Sequence, residues 1–178
     1  KGCYATHNEH TGMNLNIQKF NMNRIRFAAN NVPGETAKGP VVIFIGRRET
    51  GKSFLMNDLL YHHQDIPVGT AISGTEIANG FYSSRVPKML IHNEYSTGLI
   101  ENVLNRQKCV FKAMQSEIKR TGKSSVDTRT FTILDDCMYD DKWTRDKLMR
   151  MLFMNGRHWS IMLLITMQYP LGIPPNLR

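Results

Sequence analysis

An α/β fold, with a mainly parallel sheet covered by helices on both faces, is what this 178-residue sequence predicts, and three observations carry the prediction. Short apolar runs rich in β-branched residues alternate with stretches whose apolar positions recur every three or four residues, the pattern of strand–helix–strand units. The strand candidates are continuously apolar, as strands buried on both faces are. Between the first of them and the helix that follows lies Gly46-x-x-x-x-Gly51-Lys52-Ser53, the spacing of a phosphate-binding loop, which requires a strand before it and a helix behind it.

Residues 1–40 are polar and asparagine-rich, with a weak apolar pattern in Met13, Leu15, Ile17 and Phe20 and then Ile25 and Phe27. We read them as a peripheral segment ending in the loop Val32-Pro33-Gly34, and residues 41–178 as the core. Five consecutive apolar residues at 41–45 predict a strand buried on both faces, and a helix follows from Lys52 with Phe54, Leu55, Leu59 and Leu60 on its inward side. In "DIPVGTAISGTE" a second strand is expected at 68–72, ending in the turn Ser73-Gly74-Thr75, and a third at 89–92. Residues 97–120 carry Leu99, Ile100, Val103, Leu104, Val110, Phe111, Met114 and Ile118 at helical spacing, an amphipathic helix. A basic polar loop separates it from a strand at 131–134; a helix over 142–154 then leads through Asn155-Gly156 to "SIMLLITMQ", the strongest strand of the chain. Ligands of such sheets bind at the carboxyl ends of the strands.

The length suits one domain with a substantial core. A net charge of +8 favours a polyanionic contact such as nucleic acid or an anionic membrane surface, or simply a solvated basic exterior. Cys3, Cys109 and Cys137 are odd in number, widely separated and without a C-x-x-C pair, which argues against a disulfide framework or zinc site and for a reducing compartment. No apolar stretch reaches the ~18 residues a membrane span needs, and the polar start does not resemble a signal peptide, so a soluble intracellular protein is expected. The chain begins at Lys1 and stops at Arg178 just after a proline-rich turn, so a piece of a longer protein is expected.

In the loop Gly46, Arg47, Arg48, Glu49, Thr50, Gly51, Lys52, Ser53, continuing into Phe54, the chemistry is that of a triphosphate. Closely spaced negative charges need successive backbone N–H donors at a helix N-terminus, and the glycines let the backbone wrap around them. Lys52 then neutralises the β and γ phosphates of ATP, and the Ser53 hydroxyl ligates Mg²⁺. "RTGKSS" also holds Gly122-Lys123-Ser124, but Glu117 stands where the first glycine should be, so we read it as a basic loop.

Hydrolysis needs further groups at the same sheet edge. "FTILDD" delivers Asp135, to hold Mg²⁺, and Asp136, to orient or deprotonate the attacking water; two aspartates that only end a strand and cap a helix are the alternative. Gln168 leaves the last strand either as an ordinary polar end or as a group bonded to the γ-phosphate and the water. Arg157, in a glycine turn, is either a solvated arginine or one that reaches a neighbouring subunit's site. Lys119, Arg120, Lys123 and Arg129 either track DNA phosphates or are a solvated surface. No chemistry is assigned to His62, His63 or His158.

The stretches "VVIFIGRRETGKSFLMNDLLYHHQDIPVGTAISGTE", "FTILDDCMYD" and "LFMNGRHWSIMLLITMQYPLGIPPNLR" together resemble the genome-packaging ATPase of nucleocytoplasmic large DNA viruses, the poxvirus-type virion packaging ATPase of the FtsK-HerA group of P-loop proteins. The resemblance covers roughly residues 13–178; the phosphate loop is generic, whereas "DIPVGTAISGTE" and "FMNGRH…MQYPLGIPP" are much more specific. It implies a RecA-like core, here without the C-terminal strand or strands of the family, a homo-oligomeric ring, capsid or portal-vertex partners, and ATP-driven movement of double-stranded DNA into a capsid, in the virion and at the cytoplasmic assembly site. It also implies that Lys52 and Ser53 belong to Walker A, Asp135 and Asp136 to Walker B, Gln168 to the sensor strand, and Arg157 to an arginine finger. Walker B of the wider group ends Asp-Glu, and here it ends Asp-Asp. The alternatives are a P-loop kinase acting on nucleosides or nucleotides, for which no lid sequence is evident, and a nucleotide-binding module that does not translocate.

Overall fold

The computed structural model describes residues 21–29, 35–137 and 142–169. The apolar positions Met13, Leu15, Ile17 and Phe20, the expected loop at 32–34, Cys3 and the proline-rich tail lie outside the described residues.

Among the described residues five strands form one sheet: β1 (Val41–Ile45), β2 (Gly69–Ser73), β3 (Ile91–His92), β4 (Thr130–Asp135) and β5 (Ile161–Met167). Their order is β1-β5-β4-β2-β3 and every pairing is parallel. Each connection must therefore cross over a face of the sheet. On the way lie the helices α1 (Lys52–Tyr61), α2 (Glu76–Asn79), α3 (Thr97–Thr121), α4 (Lys142–Arg145) and α5 (Lys147–Asn155). The α/β parallel architecture expected from the sequence is the one observed.

The pleat of the central strands feeds two cores. Ile72, Leu134, Leu163 and Ile165 face α3 and α5, where Ile100, Val103, Leu104, Met149 and Leu152 meet them. Ala71, Ile133, Met162 and Leu164 face the other way, against Met56, Leu59 and Leu60 of α1, Tyr82 and Phe27. All seven residues of β5 are buried, which fits its place between β1 and β4. Phe27 ties the described part of the first 40 residues to this second core: its N–H donates to His63 Nε2 and its carbonyl accepts from Arg129 Nη1.

Several local expectations are corrected. Residues 41–45 are not buried on both faces: only Phe44 is, because β1 pairs with β5 alone among the described residues and its other edge is open. On α1, Phe54 and Leu55 are exposed, and Met56 takes the inward position, because the helix touches the sheet along a narrow stripe. The helix expected at 142–154 is two helices. Asp146 breaks the run by turning extended, and its side chain caps α5 through Leu148 N–H and Met149 N–H. The third strand is shorter than expected, with a 3-10 turn at Lys88–Leu90 before Ile91. The second glycine-lysine-serine run ends α3: Gly122 is its left-handed C-cap, and Glu117 accepts from the Ser124 and Ser125 hydroxyls.

Candidate nucleotide site

Because the strands are parallel, their carboxyl ends share one edge of the sheet, and the phosphate loop, both aspartates and Gln168 arrive there. The loop after β1 is anchored to β5 by the Gly46 N–H, which donates to the Met167 carbonyl at 3.2 Å. A Cβ on Gly46 would lie 2.6 Å from Thr50 Oγ1, so a larger residue there would force the Thr50 side chain to move. Gly51 has φ +84°, a conformation that suits glycine, and it starts α1 without any side-chain cap. The first-turn N–H groups of α1 are thus not met by a capping side chain, and the helix dipole adds to their attraction for an anion.

Lys52 is half-buried and folds back over the loop, its Nζ donating to the carbonyls of Gly46 at 2.8 Å and Arg47 at 2.7 Å. Thr50 Oγ1 donates to the same Arg47 carbonyl. Arg47, Arg48, Glu49, Thr50 and Phe54 are exposed around this turn, and Ser53 is half-buried one residue beyond Lys52.

At the end of β4, Asp135 is buried and Asp136 exposed. Asp135 Oδ1 accepts from Thr166 Oγ1 at 2.7 Å, and Oδ2 lies 3.4 Å from the Ser73 hydroxyl. Asp136 has φ +51°, unusual for a residue with a side chain, and its N–H donates to Thr166 Oγ1 at 2.9 Å. Gln168, just past β5, donates from Nε2 to Asp136 Oδ1 at 3.1 Å. Lys52 thus lies on Gly46, Gly46 on the end of β5, and the end of β5 on both aspartates.

Two further groups reach Asp135 that the sequence did not flag. Tyr82, fully buried, contacts Met56 Sδ of α1 through its hydroxyl, and its own position is set by Glu76, whose carboxylate accepts the Tyr82 and Ser83 N–H groups. Burial and then the charge of Asp135 push the phenol far above its usual range, so it stays a neutral donor. The Cys137 thiol, buried beside the same aspartate, is pushed up to about 12 and stays protonated. Thr166 is the other of the two unflagged groups, its hydroxyl bonded to Asp135 Oδ1. A threonine in an apolar strand reads as a β-former, and no spacing marks its contact with another strand.

Among the described residues no cluster of three or more His, Cys, Asp or Glu could hold a metal. Mg²⁺ bound with nucleotide takes one or two protein oxygens and completes its shell from phosphate and water. Asp135 Oδ2 lies 3.4 Å from the Ser73 hydroxyl, and the Ser53 hydroxyl stands at the start of the helix, so the oxygens of these two residues fit the ion.

Arg157 is not part of this edge. It precedes β5, seven residues long, and so lies roughly 20 Å away at the opposite end of the strands. Its Nε contacts His158 Nε2. Arg129, read from sequence as a DNA contact or a solvated charge, is neither: it is 4% exposed and bonded to Asp65, Asp127 and the Phe27 carbonyl, whereas Lys119, Arg120 and Lys123 are exposed. His63 is a buried clamp between Leu59 O and Phe27 N–H.

No protein-family model matches the chain. Curated relatives come from large DNA viruses. An uncharacterized protein of Acanthamoeba polyphaga mimivirus is 34% identical over 140 residues, 78% of this chain and 49% of that protein. One of Invertebrate iridescent virus 6 is 35% identical over 163 residues, 91% of this chain and 58% of that protein. One of Frog virus 3 is 36% identical over 141 residues, 79% of this chain and 41% of that protein. The chain thus spans about half the length of the curated relatives it matches. Among solved structures, the monomer form of the pCW3 conjugation coupling protein TcpA with ATPγS superimposes with a TM-score of 0.53 at 15% identity, over 75% of this chain and 44% of that one, a likeness of fold.

Proposed function

We propose that this chain is the ATP-hydrolysing core of a motor that moves double-stranded viral DNA into a capsid, acting as a ring of identical subunits. The observation that carries the reading is the junction at the sheet edge, where Gly46 meets Met167 and Gln168 meets Asp136. The viral relatives and the fold shared with a conjugation coupling protein carrying ATPγS support it.

In this reading Lys52 exchanges the carbonyls of Gly46 and Arg47 for β- and γ-phosphate oxygens, while the first-turn N–H groups of α1 hold the remaining phosphate charge. Ser53 and Asp135 hold Mg²⁺, which when bound offsets the charge on the transferring phosphoryl group. Asp136 orients the attacking water and accepts its proton. Gln168, bonded to Asp136, senses whether a γ-phosphate is present. Arg157, at the far end of the strands, serves only a neighbouring subunit's nucleotide. Among the described residues one edge of β1 is unpaired, with Val41 and Ile45 exposed, and further strands of the core add there. The protein then acts in the virion and at the cytoplasmic assembly site, with capsid or portal-vertex proteins as partners.

The test is phosphate release by the full-length protein with and without linear duplex DNA. Turnover that rises with DNA is expected. Transfer of the phosphoryl group to a nucleoside or nucleotide in place of water would instead make the protein a kinase.

A further inference from the structure

We propose that Thr166 is a positioning residue that sets both aspartates from the neighbouring strand, and that it links them to the strand carrying Gln168. The inference rests on the nucleotide-site reading above and names a residue that reading does not use.

The geometry is that of one hydroxyl with two fixed duties. Thr166 Oγ1 accepts the Asp136 N–H at 2.9 Å, so its own hydrogen is free to point elsewhere, and it points to Asp135 Oδ1 at 2.7 Å. Thr166 is fully buried, so water does not compete for either bond. The bond to Oδ1 fixes the rotamer of Asp135 and leaves Oδ2, with its 3.4 Å contact to Ser73, as the oxygen that would take Mg²⁺. The bond from the Asp136 N–H holds a residue whose φ of +51° is costly and persists only where its surroundings impose it. That turn is what aims the Asp136 carboxylate at Gln168, two residues along β5 from Thr166. A shift of the end of β5, driven by what Gln168 touches, would therefore be passed through Thr166 to both carboxylates.

The experiment compares Thr166→Val, which keeps the shape and removes the hydroxyl, with Thr166→Ser, which keeps the hydroxyl, in the full-length protein. Three readouts are taken: hydrogen exchange of peptides spanning 131–137 without nucleotide, ATPγS affinity as a function of Mg²⁺, and ATP turnover. In Thr166→Val the Asp136 amide should exchange faster. The Mg²⁺ needed for half-maximal enhancement of ATPγS binding should rise about tenfold, and turnover should fall about 10- to 100-fold. ATPγS affinity measured without Mg²⁺ should stay within about twofold of wild type, because the phosphate loop is untouched. Thr166→Ser should match the wild type in exchange and in Mg²⁺ dependence. Wild-type exchange and Mg²⁺ dependence in Thr166→Val would overturn the proposal. So would equal losses in both variants, since the methyl group and not the hydroxyl would then matter. If Thr166→Val does not fold, Thr166→Ser still decides: altered Mg²⁺ dependence there overturns the proposal, and wild-type behaviour supports it. A wild-type protein that binds ATPγS with Mg²⁺ but never turns over ATP would end the hydrolase reading, while exchange and Mg²⁺ dependence would still judge Thr166.

Discussion

Replacing Arg129 by Met separates a structural cation from a DNA contact. The side chain is 4% exposed and makes charged hydrogen bonds to Asp65 Oδ2 and Asp127 Oδ2, both at 2.7 Å, together with bonds to the Phe27 carbonyl at 2.9 Å and the Asp65 carbonyl at 3.1 Å. Breaking a fully buried ion pair costs ~3–5 kcal/mol, but Asp65 and Asp127 are 44% and 33% exposed and can turn to water, so the pairs count for little here. The main loss is then the buried Phe27 carbonyl, left without its donor at ~1–3 kcal/mol, plus a fraction from each aspartate. A total of about 2–3 kcal/mol corresponds to a fall in Tm of roughly 4–12 °C in a domain of this size. Burial opposes ionisation of Asp65, but the hydrogen bond and charge of Arg129 outweigh it and hold the carboxyl below its usual range. A depressed folded pKa adds stability above the unfolded value near ~3.9, and that stability is lost as pH falls through the folded pKa. The gap between wild type and Arg129→Met should therefore narrow below about pH 4. Thermal melting across pH reads the first part, and duplex-DNA binding across salt reads the second, where Kd and its salt slope should match wild type. A variant that melts with the wild type, or one whose salt slope falls by about one ion, would refute the structural assignment.

Three further outcomes follow. Asp146→Ala removes the cap of α5 and the acceptor of the Tyr95 and Thr97 hydroxyls, so about 2–3 kcal/mol of stability should disappear at neutral pH, measured by denaturant melts. Burial resists its charge, yet those hydroxyls and the helix N–H groups hold the carboxyl below the usual range; the deficit should shrink as pH drops below about 4. Asp136→Asn should leave ATPγS binding within about twofold and lower turnover by ~10²-fold or more, a split read by equilibrium binding against phosphate release. Gly69→Ala would put a Cβ 2.0 Å from the Phe131 ring, and the repacking between β2 and β4 should cost about 1–3 kcal/mol in the same melts.

What could be read from the sequence was what local chemistry dictates. The apolar runs of β4 and β5 mark buried strands whatever their partners, and the phosphate loop is defined by spacing within eight residues. The placement of Asp135, Asp136 and Gln168 on one edge follows once the strands are parallel, since all three leave strands at their carboxyl ends. What could not be read depends on distant neighbours. Exposure of Ile45 reflects an unpaired strand edge, and that of Phe54 and Leu55 the narrow stripe along which α1 meets the sheet; no local pattern encodes either. The break at Asp146 arises because its carboxylate finds Tyr95 and Thr97, about 50 residues away, as well as the next helix. Arg129 reads as part of a basic loop, yet Asp65 and Phe27 fold over it. Thr166 and Tyr82 look like ordinary strand and core residues until the sheet brings them to Asp135.

The central claim is that Lys52, the two aspartates and Gln168 act on one ATP molecule in a DNA-driven motor. Single-turnover hydrolysis of ATP by the full-length protein at saturating duplex DNA, wild type against Lys52→Ala, tests it most directly. The wild type should give a DNA-stimulated burst of phosphate, and the variant none above background. Equal phosphate release by both proteins would contradict it.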